Sequence, residues 1–75
     1  MTKRWKPGCY VNEEWREFKT YRELKKKLPE LIKEDEDYEG EGLFVLRSKR
    51  GKWGEWFERW KIVNNKPTIV RQGWS

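Results

Sequence analysis

Cys9 is the only cysteine in a 75-residue chain that contains no histidine. These two facts narrow the ways in which so short a chain can hold a fold. A domain of this size buries a limited fraction of its surface, and many such domains compensate with disulfides or a structural metal. One cysteine closes no intrachain disulfide, and without histidine it makes no Cys/His zinc site. Large apolar side chains and self-association remain. The chain has six tryptophans, three tyrosines and three phenylalanines, each able to bury a large area, and a homodimer stays open.

The same two facts limit the chemistry. Cys–His and Ser–His nucleophilic pairs are excluded, so Cys9 reads as a passive small residue. Glu13, Glu14 and Glu17 match no general-base motif. Gly40 and Gly42 flank a glutamate in an acidic stretch, unlike a phosphate-cradling loop. The expectation is a non-enzymatic protein with no cofactor and no metal. A single reduced cysteine suits the cytoplasm. No run reaches the length of a membrane span, and the basic segment from Met1 to Pro7 lacks the apolar core of a signal peptide. One soluble, cytoplasmic domain over residues 1–75 is expected.

Charge is unevenly spread. Residues 1–42 hold ten Lys/Arg and eleven Asp/Glu, while residues 43–75 hold eight Lys/Arg against only Glu55 and Glu58. The net charge of +5 therefore belongs to the last part of the chain, which points toward a polyanionic partner.

Pro7-Gly8 reads as a turn and Tyr10 to Phe18 as a strand. Thr20 with Glu23 forms a capping box, and Tyr21, Leu24, Leu28, Leu31 and Ile32 then recur at helical steps. Pro29 removes a backbone donor and disfavours helical geometry at Leu28. The helix is expected to end or kink there, with a short further turn beyond. Residues 34–42 read as an acidic exposed loop. Three β runs follow: Leu43 to Lys49, Trp53 or Gly54 to Val63, and Thr68 to Trp74. Arg50-Gly51-Lys52 and Asn64-Asn65-Lys66-Pro67 are the expected turns between them. The fold class is α+β, in the order β-α-β-β-β or α-β-β-β. One helix packs on a mainly antiparallel sheet of three or four strands.

Alternation divides the β runs into two faces. The even positions Phe44, Leu46, Trp56, Trp60, Ile62, Val70 and Trp74 are expected to face the helix. The odd positions Val45, Arg47, Lys49, Trp53, Phe57, Arg59, Lys61, Ile69 and Arg71 are expected to share an open basic face. The grouping needs three-residue hairpin loops, because a two-residue Asn64-Asn65 turn would place Arg71 opposite Glu58 on the other face.

Cations crowded on one face repel one another, and a polyanion would relieve them. Arg47, Lys49, Arg50, Lys52, Arg59, Lys61 and Arg71 are the candidate phosphate contacts, with Trp53 and Phe57 as candidate base-stacking residues. The competing reading of these cations is an ordinary solvated face whose long side chains cover apolar neighbours. The leading functional reading is a small non-enzymatic nucleic-acid-binding domain, for DNA or RNA. The second is a protein-interaction module, an inhibitor or accessory factor of viral or mobile-element type. It would bind an acidic surface through Trp and Arg hot spots. The stretch from Trp56 to Trp74 superficially resembles the basic meander of ribosome-dependent ribonuclease toxins. That resemblance covers this stretch alone and has no specific motif. It implies the least favoured reading, RNA cleavage by its Lys and Arg residues.

Overall fold

A computed structural model of the chain describes residues 6–37, 39–51 and 54–74, with the backbone alone at 48–51 and 54. Its elements are β1 (Gly8–Val11), β2 (Glu14–Glu17), α1 (Tyr21–Glu34), β3 (Leu43–Gly51), β4 (Gly54–Val63) and β5 (Lys66–Trp74). The strands form one antiparallel sheet in the order β2-β1-β3-β4-β5. Helix α1 packs on one face of it, against β1, β3, β4 and β5. The α+β class matches expectation, and the sheet has five strands instead of three or four.

The additional strand comes from the first run. Asn12 and Glu13 adopt φ of 51° and 67°, the left-handed pair that closes a two-residue hairpin. Val11 then pairs with Glu14, and Tyr10 with Trp15. What reads as one strand from Tyr10 to Phe18 is a hairpin, and the element order is β-β-α-β-β-β.

Helix α1 runs unbroken for 14 residues with Pro29 inside it, against the expected break near Leu28. Its start matches the capping box, since the Glu23 N–H donates to the Thr20 hydroxyl at 3.1 Å. Pro29 sits on the exposed side, while Leu24, Leu28 and Leu31 are buried on the other. Burying a leucine contributes about 1.5–3 kcal/mol, comparable to the cost of an interior proline. The last turn is also tied down from outside. The Asn12 N–H donates to Asp35 Oδ1 at 2.8 Å, and its side-chain amide donates to the Glu34 carbonyl at 3.1 Å. The Arg16 guanidinium grips the Glu34 carboxylate through two bonds, of 2.5 and 2.9 Å.

That grip offsets the poor placement of an acid at a helix C-terminus. The hydrogen bonds from Arg16 are the main reason Glu34 is held below the usual carboxylate range. A depressed folded-state pKa stabilises above the ordinary carboxylate pKa and loses that effect as pH falls through the folded value. Arg16→Ala is therefore expected to lower urea-unfolding stability modestly at neutral pH, and to change it little in strong acid.

The core consists of Cys9, Val11, Leu24, Leu28, Leu31, Leu43, Val45 and Trp60, with Phe18, Tyr21 and Ile32 packed at its edge. Glu58 lies among them and is 2% exposed. Its carboxylate accepts the indole N–H groups of Trp56 and Trp60, each at 3.1 Å, and the Tyr21 hydroxyl. Arg47 approaches to 3.8 Å. A buried charge is tolerable when its oxygens are filled in this way, and the cluster ties α1 to β3 and β4.

The hairpins set the faces differently from expectation. The β3–β4 ladder extends to a Gly51↔Gly54 pair, so Arg50 and Gly51 lie in the ladder and not in a three-residue turn. Even positions of β3 consequently face odd positions of β4, as in Phe44↔Arg59 and Leu46↔Phe57. Val45 is buried, and Phe44 and Leu46 move to the opposite face. At the other hairpin, Asn64 and Asn65 have φ of 52° and 65°, and Val63 pairs with Lys66. This two-residue turn alone would place Arg71 opposite Glu58. A bulge between Ile69 and Arg71 adds one residue, Val70, and restores Arg71 to Arg59. Ile62, Val70 and Trp74, expected in the core, are exposed. Trp74 packs edge-on against Trp56 at 5.2 Å.

Candidate nucleic-acid interface

Directly paired residues of neighbouring strands share a face, so the ladder can be followed across the sheet. On the face turned away from α1, one row runs Trp15, Tyr10, Phe44, Arg59, Arg71 through all five strands. The row beside it runs Glu17, Gly8, Leu46, Phe57, Gly73. Ring centroids are 5.0 Å apart for Trp15–Tyr10, 6.0 Å for Tyr10–Phe44 and 5.6 Å for Phe44–Phe57. Four aromatic rings thus form a continuous strip over β2, β1, β3 and β4.

Gly8 shapes this strip. A Cβ on Gly8 would sit 2.3 Å from Cζ2 of Trp15, so the indole occupies the space where a side chain would stand. A Cβ on Gly73 would lie 3.4 Å from the Phe57 ring. The Trp15 ring at the β2 end of the strip therefore leans onto bare backbone, whereas Gly73 leaves room for a side chain beside Phe57.

Of the expected site residues, Phe57, Arg59, Lys61 and Arg71 meet on this face. Arg47 does not. It lies on the α1 side, with its guanidinium 4.3 Å above the Tyr21 ring and close to Glu58, because the β3 register is offset by one from expectation. For the same reason Val45 lies in the core, while Ile69, set opposite Trp60 by the two-residue Asn64-Asn65 turn, belongs to the α1 side. Lys49 and Arg50 belong to β3, and their side chains lie outside the described part. Lys52 and Trp53 fall outside the described residues.

Arg59 is already engaged. Its guanidinium lies 4.8 Å above the Phe44 ring, 3.3 Å from the Glu41 carboxylate, and donates to the Gly42 carbonyl at 3.2 Å. These contacts offset its position directly opposite Arg71, which would otherwise be repulsive. The expected exposed loop 34–42 is shorter than that, since Glu34 ends α1 and Gly42 is buried, and it is more than a solvated connector. Asp37 accepts the N–H groups of Glu41 and Gly42, and Glu36 N–H donates to Asn12 Oδ1 at 2.6 Å. Between this segment and the strip lies an open groove of about 860 Å³ that includes Tyr10, Phe44 and Arg59 along with acidic side chains. The strip thus has an acidic flank at one end of the strands.

A second groove, about 420 Å³, lies between α1 and β3 and is lined by Tyr21, Arg22, Lys25, Lys26 and Arg47. It is basic but lies on the other side of the sheet from the aromatic strip.

Sequence reasoning missed Tyr10, Trp15 and Phe44 as members of the strip. The available signal was Asn12, a residue that readily adopts positive φ, between two aromatic runs.

Cys9 is fully buried, and burial is the main cause that pushes its thiol up to about 11, with Arg16 opposing. The thiolate is the reactive form. Cys9 is expected to resist a thiol reagent at neutral pH in the folded protein and to react at once in denaturant. Rapid labelling without denaturant would contradict its placement. Among the described residues, no three His, Cys, Asp or Glu side chains are grouped to hold a metal ion. No described helix is long and apolar enough to cross a membrane. Comparison of the chain with protein-family models, with curated proteins and with solved structures returned no match.

Proposed function

We propose that this chain is a small non-enzymatic nucleic-acid-binding domain and that the face turned away from α1 is its binding surface. The observation that carries the proposal is the aromatic strip Trp15–Tyr10–Phe44–Phe57 running into the cations Arg59 and Arg71 on one ladder. Tyr10 is 43% exposed and Trp15 is 37% exposed. Large exposed rings in a contiguous patch mark an interaction surface. Aromatic faces beside cations suit bases and phosphates respectively.

The test is fluorescence anisotropy against labelled DNA and RNA across a salt series. Arg59→Ala, Lys61→Ala, Arg71→Ala would be combined in one variant. Wild-type affinity is expected to fall linearly on a log–log salt plot. The variant should stay folded and show a slope smaller by about two, at roughly 0.7 per lost contact to a single strand. Equal slopes for both proteins would overturn the assignment to this face.

The acidic flank makes a further prediction. Glu41 competes with phosphate for Arg59, and an exposed ion pair contributes up to about 1 kcal/mol. Glu41→Gln is expected to tighten nucleic-acid binding about two- to fivefold in the same assay. An unchanged or weaker affinity would mean that Arg59 takes no part.

A protein-partner reading is favoured by one observation: Glu41 already neutralises much of Arg59, which leaves the strip more apolar than basic. Such a module would bind with little salt dependence and would rest on one or two rings.

A further inference from the structure

Taking the nucleic-acid reading as its basis, we infer that the ligand is an unpaired strand, its bases laid one by one on the ring strip while Arg59 and Arg71 contact its phosphates.

Three features support a single strand over a duplex. First, adjacent rings are 5.0, 6.0 and 5.6 Å apart. Stacked bases of a duplex rise only about 3.4 Å per residue along each strand. At that rise both faces of every inner duplex base are covered by its neighbours, so only an unpaired strand can turn base faces onto these rings. Second, the strip presents rings in place of a protruding helix or ribbon. A duplex offers its base edges only inside its grooves, so a sheet face carrying this strip has no helix or ribbon to insert there. Third, Gly8 lets the Trp15 ring settle onto the backbone of β1, in space that a Cβ would fill. A ring resting on backbone turns its other π-face outward, which is the orientation stacking requires.

The row also has a chemical direction, with aromatic rings on β2, β1 and β3 and cations on β4 and β5. A strand crossing it would have its bases anchored over Trp15 and Tyr10, the exposed rings of the strip, and its backbone held where Arg59 and Arg71 stand opposite each other. Phosphate between these two guanidiniums removes the like-charge repulsion of that pair.

The test compares four probes at one salt concentration. They are an oligothymidine and an oligouridine of about 12 nucleotides, a length within the range of single-strand sites, an abasic strand with the same number of phosphates, and a DNA duplex of equal length. The single strands are expected to bind at least tenfold more tightly than the abasic strand and the duplex. Tyr10→Ala and Trp15→Ala should each weaken single-strand binding roughly tenfold while leaving the residual abasic affinity unchanged. Far-UV circular dichroism checks that both variants fold, and Tyr10→Phe should retain binding. Equal affinity for abasic strand, duplex and single strand would overturn the inference and leave nucleic-acid binding intact. Absence of binding to every probe would overturn both.

Discussion

Glu58→Leu is expected to be among the most damaging single substitutions in the protein, costing about 3–5 kcal/mol. The leucine fits the space but accepts no hydrogen bond. It strands the Tyr21 hydroxyl and the Trp56 and Trp60 indole N–H groups, all of which now point at one carboxylate. Each unsatisfied buried donor costs about 1–3 kcal/mol, and Arg47 loses its partner as well. At about 0.05–0.15 kcal/mol per residue, a 75-residue domain holds roughly 4–11 kcal/mol in total, so the variant should lose a large share of its stability. Glu58→Gln keeps one acceptor oxygen and the same shape, and should fall between the two. Burial and the bond to Glu58 push the Tyr21 hydroxyl well above the ordinary phenol range, which keeps it a donor at any working pH. Urea unfolding followed by circular dichroism measures the ranking. A loss below 1 kcal/mol for Glu58→Leu, a typical net value for one ordinary hydrogen bond, would contradict the role assigned to the cluster.

The second large effect is expected at Gly8, where fold and binding surface meet. Any Cβ there would lie 2.3 Å from Trp15 and 2.7 Å from the Arg16 carbonyl oxygen. The first contact can be relieved by moving the indole, whereas the second is backbone and yields only if β1 and β2 separate. Gly8→Val should cost about 1–3 kcal/mol as an overpacked site and should expel Trp15 from its seat. In a Trp15→Ala background the penalty should shrink but not vanish, because the backbone contact remains. That non-additivity, measured by a double-mutant cycle, distinguishes a seat for Trp15 from a general intolerance of β1. Full additivity would contradict the packing described.

Much of the scaffold is legible in the residues. The capping box at Thr20 and Glu23, the stripe of Leu24, Leu28 and Leu31, and the three C-terminal β runs all fall where local pattern puts them. The departures in which face a strand residue takes come from turn length and bulges, since a register change of one flips every side chain. Arg50-Gly51-Lys52 contains a glycine and reads as a turn, yet Gly51 pairs with Gly54. That pairing, with a further register shift between Leu46 and Arg50, sends Arg47 to the helix side and brings Phe44 out beside Phe57. Asn64-Asn65 shows the opposite lesson. The short turn alone would have misplaced Arg71, and a bulge at Val70 that no local residue preference announces returns it to Arg59. Pro29 fails as a stop signal because Leu31 is buried beyond it and Asn12 and Arg16 hold the helix end from a distant hairpin. Long-range contacts of that kind leave no periodic trace. The candidate site follows the same division. Phe57, Arg59, Lys61 and Arg71 could be grouped from alternation, whereas Tyr10 and Trp15 join them only through a hairpin whose first turn residue is Asn12.

The central claim is that nucleic acid meets this protein on the aromatic strip and not on the basic groove between α1 and β3. Amide chemical-shift mapping of the isotopically labelled protein during titration with a short oligothymidine tests it most directly. The account predicts shifts concentrated at Tyr10, Trp15, Phe44, Phe57, Arg59 and Arg71, with Arg22, Lys25 and Lys26 nearly still. Shifts confined to α1 and Arg47, with the strip unmoved, would contradict it and transfer the interface to the opposite side of the sheet.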